Sequence, residues 1–221
     1  MFELVDEVIR SNRKTVELRV NSNGRVQLRI PQYADKKSIT DFIHRKKNWI
    51  LKQKAKTESK QFERNYADGE MIYYLGEKHE IVHKSLDNSV LEKSGDKIFF
   101  DPEYKEFGKD CFKHWFTNNA KATIVPIAWD LSRYMKIELN AVKISSAEKR
   151  WGSCSSKGNI NLSYMLMMLP PATINYVIIH ELMHIFIPNH SKKFWELVAR
   201  AMPDYKREIK WIDDNMHLLK L

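Results

Sequence analysis

One stretch constrains this chain more than any other: HELMHIFIPNH at 180–190, entered directly from the apolar run Tyr176-Val177-Ile178-Ile179. Histidines four apart on a helix project from the same side about one turn apart, roughly 6 Å. His180 and His184 can therefore both reach one ion at the ~2.0–2.1 Å typical of imidazole–zinc bonds. Glu181 sits about 100° around the helix from His180. That is too far round for a third ligand but near enough to act on a water at the ion, which is the placement a general base needs. A lone histidine on an apolar helix is ordinarily just packed. Burying two histidines and a glutamate together without an ion would instead leave several polar groups unpaired, at considerable cost.

A third ligand requires the helix to stop. On a continuous helix, His190 would lie about 15 Å along the axis from His180 and be rotated away from it. Pro188 supplies the break, because it cannot donate a helical hydrogen bond and it pushes Ile187 out of the α region. His190 is then expected at or just before the N-terminus of the next helix, whose positive end keeps the ring neutral and able to ligate. Glu196 is the fallback third ligand. The histidine spacing equals that of the metzincin pattern, but Ile187 stands where that pattern has glycine and no Met-turn follows.

The rest of the chain sets the context. Its 221 residues suffice for one or two domains with a buried core, and its composition is that of an ordinary globular protein. No run of about 18 apolar residues exists, so no membrane span or membrane partner is expected. Glu3, Asp6 and Glu7 occupy positions where a signal peptide would be basic, which makes a cytoplasmic location the expectation. Cys111 and Cys154 lie far apart outside any CxxC pair and are expected to be free thiols. Net charge is +9, and residues 1–65 carry 16 Lys and Arg against 8 Asp and Glu. Any affinity for nucleic acid or another polyanion therefore belongs to the first third of the chain. The competing reading of those cations is a solvated surface.

Local pattern predicts a hairpin over 16–30 turning at Asn23-Gly24, and a helix opening near Ser38 with Phe42, Ile43, Trp49 and Ile50 on its buried side. Short strands follow over 69–100. A helical region from 103 should be kinked or divided by Pro126. A strand, a loop and a strand are expected around 142–169, then an apolar helix over 172–186 and another over 191–202, stopped by Pro203. The resulting layout is α+β: a basic, β-rich N-terminal portion, 1–102, and a catalytic portion, 103–221.

RWGSC at 150–154, Asn161 and Leu162 in a strand, Pro170, YVIIHELMHIFIPNHSKKFW and the following MPDYK together resemble the YgjP-like metallopeptidase family, which is related to the SprT-like and WLM metallopeptidases. The hairpin, KKNWI at 46–50 and YYLGEKHEI at 73–81 extend that resemblance over most of the chain. It implies a zincin-like fold, with the HExxH helix packed under a small sheet. It also implies zinc held by His180, His184 and His190, with Glu181 as the catalytic glutamate. Within RWGSC, Arg150 has two readings, a group for an oxyanion or substrate carboxylate, or structure; Cys154 also has two, a thiol approaching the metal, or a small buried hydrophobe; Trp151 and Gly152 read as core plug and tight turn. Tyr176, one turn before His180, is either an electrophile reaching toward the metal or packing, and Trp195 reads as core. The reaction expected is hydrolysis of a peptide or protein substrate. Two alternatives stay open: hydrolysis of a nucleotide phosphoanhydride, and a nucleic-acid-associated protease of SprT-like type.

Overall fold

The computed structural model describes residues 4–21, 24–61 and 64–221, with side chains at all of these except 55–61. Asn23 of the expected turn and Glu3 of the acidic N-terminal stretch lie outside the described residues. The architecture is mixed α+β and divides into two compact units, residues 1–63 and 64–221.

In the first unit, β1 (Glu7–Ser11), β2 (Glu17–Val20) and β3 (Val26–Pro31) form a sheet of order β1-β3-β2, with β1 parallel and β2 antiparallel to β3. β3 alternates as a half-buried strand must, with Val26, Leu28 and Ile30 fully buried. Those side chains pack with Ile39, Ile43 and Ile50 of α1 (Lys36–Gln61). The helix opens two residues before the expected Ser38, because the Asp35 carboxylate accepts from the Ser38 amide and satisfies an otherwise orphaned donor. Trp49, expected on the buried side, is instead 41% exposed; Ile50 occupies the core-facing position beside it. The parallel partner β1 gives no hairpin signal, and local pattern does not disclose it.

In the second unit, β4 (Met71–Tyr74), β5 (Glu77–His83), β6 (Leu91–Ser94) and β7 (Lys97–Phe100) form a sheet of order β4-β5-β7-β6. The two-residue β4–β5 turn, Leu75-Gly76, has positive φ at both residues, as a twisted hairpin prefers. Its amides donate to the carbonyls of Met167 and Met168. Ile72, Ile81, Ile98 and Phe100 join Phe112 and Phe116 in one core. Strands 71–100 therefore belong to the same unit as the histidines at 180–190, and the expected boundary at 102/103 falls inside this unit; the compact-unit division is at Glu63. A 3-10 turn at Pro102–Phe107 leads into α2 (Gly108–Tyr134), a helix of 27 residues that Pro126 does not divide. Pro126 lies on the exposed side, where water can satisfy the carbonyl it frees.

The sheet that frames the site is β8 (Ala141–Ser145), β9 (Gly152–Cys154) and β10 (Asn159–Ser163), in the order β8-β10-β9. β9 is an additional strand inside the expected loop, paired antiparallel with β10 so that Gly152 faces Leu162. Beyond a buried 3-10 turn at Tyr164–Met168, Pro171 starts α3 (Pro171–Met183) from its first turn, where a missing amide costs nothing. α4 (Lys192–Ala201) and α5 (Tyr205–Asn215) complete the unit. The buried Glu208 of α5 accepts a 2.7 Å hydrogen bond from Thr173 at the start of α3 and pins the two helices together. No described helix is long and apolar enough to cross a membrane.

Candidate metal centre

α3 ends at Met183, three residues short of the expected 186, and His184 is its C-cap. The chain then tightens: Ile185 and Phe186 donate to carbonyls three residues back, and Ile187 makes the last four-residue bond, to Met183. Pro188 follows this last helical bond. The reversal brings His190 back over the helix end, two residues before α4.

Three imidazoles converge as a result. His180 Nε2 lies 3.2 Å from His184 Nε2 and 2.9 Å from His190 Nε2, and one ring nitrogen from each of the three falls within 4.8 Å of the others. Donors at the corners of a tetrahedron, each about 2.0–2.1 Å from a shared centre, stand about 3.3 Å apart. The donor set thus fits a transition ion that accepts imidazole nitrogen.

Proton placement also favours ligation. His184 Nδ1 is 3.0 Å from the Ile187 carbonyl, which can only accept, so Nδ1 carries the proton and Nε2 keeps its lone pair. His180 Nδ1 faces the Tyr176 hydroxyl at 3.5 Å. Burial, helped by the neighbouring imidazoles, lowers His180 to about 4, and burial followed by His184 also lowers His190. Phe194 of α4, fully buried, supports all three rings at centroid distances of 4.9, 4.5 and 4.9 Å from His180, His184 and His190.

A cavity of about 660 Å³ opens over these groups. The consecutive residues Arg150–Ser156 line one side of it, and the α3 face bearing Tyr176, Val177, His180, Glu181 and His184 lines another. Glu181 is buried, and burial pushes its carboxyl up to about 7 while the Arg150 guanidinium pulls it down. Arg150, Cys154 and Tyr176, the residues with open functional readings, all border this cavity, and the Cys154 thiol is raised by burial and by Glu181. Trp195 belongs to the edge of the core and to the cavity wall at once, with its ring stacked 5.7 Å from His190. Glu196 is not among the lining residues; it pairs with Lys192 at 3.8 Å on the exposed side of α4.

Two contributors escaped sequence reasoning. Phe194 is one turn beyond His190, a spacing that could have marked it as a support for the ring. α5 brings Ile209, Ile212, Asp213 and Met216 to the cavity. Its signal was present in the recurrence of Tyr205, Ile209, Ile212 and Met216 along one helical face.

A family model, the YgjP-like metallopeptidase domain, matches residues 14–215. The chain belongs to the YgjP-like metallopeptidase family. That match runs from the first unit through α5 and includes all three histidines and Glu181. No curated protein matches the chain. Among solved structures, the metallopeptidase zymogen abylysin of Pyrococcus abyssi is similar at 26% identity, over 40% of this chain and 88% of its own, with a TM-score of 0.34. The metallopeptidase zymogen jannalysin of Methanocaldococcus jannaschii is similar at 20% identity, over 40% and 94%, with a TM-score of 0.33. At those TM-scores the two likenesses carry no detail of the site.

Proposed function

We propose that this YgjP-like chain is a zinc-dependent peptidase of zincin-like fold, with His180, His184 and His190 holding the ion and Glu181 acting as general base. The observation that carries the reading is the convergence of three imidazole nitrogens beside a buried carboxylate on one cavity wall. Three neutral nitrogen donors with an open side are the set zinc takes in hydrolytic sites. Bound there, zinc supplies Lewis acidity toward a water and the scissile carbonyl.

The protein's own part is proton transfer and substrate placement. As water adds to the carbonyl carbon, the Glu181 carboxylate takes one of its protons. As the C–N bond breaks, Glu181 returns that proton to the departing amine. The Tyr176 hydroxyl and the Ile187 carbonyl orient His180 and His184 from behind. Arg150 is the cation at the cavity rim, suited to a substrate carboxylate or carbonyl.

The remaining wall argues for the substrate class. Tyr176, Val177, Trp195, Ile209, Ile212 and Met216 present an apolar surface, which favours a peptide segment with a bulky apolar side chain. The deciding experiment is metal analysis of the purified protein together with a hydrolysis screen of peptides, denatured proteins and nucleoside triphosphates, for the parent and Glu181→Gln. Stoichiometric zinc with Glu181-dependent peptide cleavage is expected. Cleavage of triphosphates alone would overturn the peptidase reading.

A further inference from the structure

We propose that Gly152 is a positioning residue for Glu181: its bare Cα is the wall against which the carboxylate is seated. This rests on the reading of Glu181 as the base. The Arg150 guanidinium attracts the Glu181 carboxylate, and close packing sets where that carboxylate stops. β9 crosses that side chain closely. A β-carbon built on Gly152 would stand 2.7 Å from Glu181 Cγ, 2.7 Å from Oε1 and 2.8 Å from Cδ. All three separations are closer than real β-carbons approach.

The usual reasons for glycine do not apply at this position. Gly152 has no positive φ and lies within β9, paired with Leu162, rather than in the tight turn expected from the sequence. Glycine inside a strand weakens it and commonly marks a close approach. Here the approaching group is the Glu181 carboxyl.

The consequence of filling the space follows from which group can yield. The backbones of β9 and α3 are each held by their own hydrogen bonds, whereas the carboxyl is the far end of a flexible side chain. An added methyl at 152 would therefore turn the carboxylate aside before it unfolds the strand. The three imidazoles, positioned by α3, the 184–190 reversal and Phe194, would stay in place.

The test compares the parent, Gly152→Ala, Glu181→Gln, Glu181→Ala and the corresponding double variants for zinc affinity, kcat, KM and Tm. For Gly152→Ala we expect zinc affinity within about two-fold of the parent, kcat lower by about 100-fold as for an ångström-scale misplacement of a reacting group, and little change in KM. Added to Glu181→Gln, the substitution should lower kcat no further. In the metal-free proteins, Gly152→Ala should lower Tm when Glu181 is present and not in Glu181→Ala, where the vacated space takes the methyl. Folding only in the Glu181→Ala background would support the proposal equally. Parental kcat in Gly152→Ala, a raised KM with kcat unchanged, or equal Tm losses in both backgrounds would overturn it. Parental kcat in Glu181→Gln would remove the base and with it the catalytic sense of the proposal, while the Tm comparison still decides whether residue 152 seats residue 181.

Discussion

The two units of this chain divide its charge and its chemistry unequally. Residues 1–63 hold 15 Lys and Arg against 8 Asp and Glu, whereas 64–221 hold 22 against 20. The first unit closes one face of a three-stranded sheet with one helix and turns Lys36, Lys37, Arg45, Lys46, Lys47 and Lys52 outward. The second is near neutral in net charge and brings three of its histidines to one point beside an apolar cavity. A cation-rich surface needs only exposure, and many arrangements of lysine provide it. Three imidazoles within a few ångströms need a specific chain path, and the larger core is what holds that path.

The largest effect should come from removing ligands. His180→Ala with His184→Ala is expected to abolish zinc binding and hydrolysis, because a chelate of three donors cannot survive the loss of two. Zinc analysis after gel filtration checks this, and full occupancy in the double variant would move the metal site elsewhere. Glu181→Gln leaves every imidazole in place, so zinc should be retained while kcat falls by about 10²–10⁴-fold, since an amide has the shape of the base but cannot accept the proton. An unchanged kcat would mean that another group serves as base.

Pro188→Ala sharpens the comparison by altering the path without touching a donor. Alanine favours helix over proline by about 3 kcal/mol in a helix interior, and an added helical residue moves His190 by about 1.5 Å and about 100°. Zinc affinity should drop, and His190→Ala should weaken it further. Competition titration against a chelator measures both, and parental affinity in the two variants would remove His190 from the ligand set.

Leu28→Ala, in the fully buried centre of β3, should destabilise the first unit by about 2–5 kcal/mol. Because Leu28 belongs to a core cluster separate from that beneath the histidines, zinc affinity should hold. A parallel loss of zinc would show that the units stand or fall together. The smallest effect on stability is expected from charge reversal at the exposed Arg45, Lys46 and Lys47, within about 0.5 kcal/mol. If the basic unit docks on a polyanion, affinity for DNA or heparin and the salt dependence of binding should fall together. Binding unchanged from the parent would leave these cations as solvated surface.

The legible part of this protein is what local spacing controls. Histidines four apart on an apolar helix share a face whatever surrounds them. Proline after Ile187 bars further helical bonding by covalent geometry, and Gly76 takes the positive φ of a tight hairpin without strain. These rules act over a few residues, so the metal-centre candidates and most strands of 71–100 could be placed from the amino acids alone. Tertiary structure decided what depends on partners distant in sequence: that strands 71–100 join the larger core, that Trp49 faces outward, and that α5 walls the cavity. It also set Gly152 against Glu181, a contact between residues 29 positions apart that no periodicity encodes. Pro126 makes the same point from the other side: its intrinsic tendency to break a helix yields to the burial of Phe112, Phe116, Ala120, Ile124 and Ala128 along one face of α2. Local preference is worth a few kcal/mol at most, and a long helix buried against a core can outweigh it.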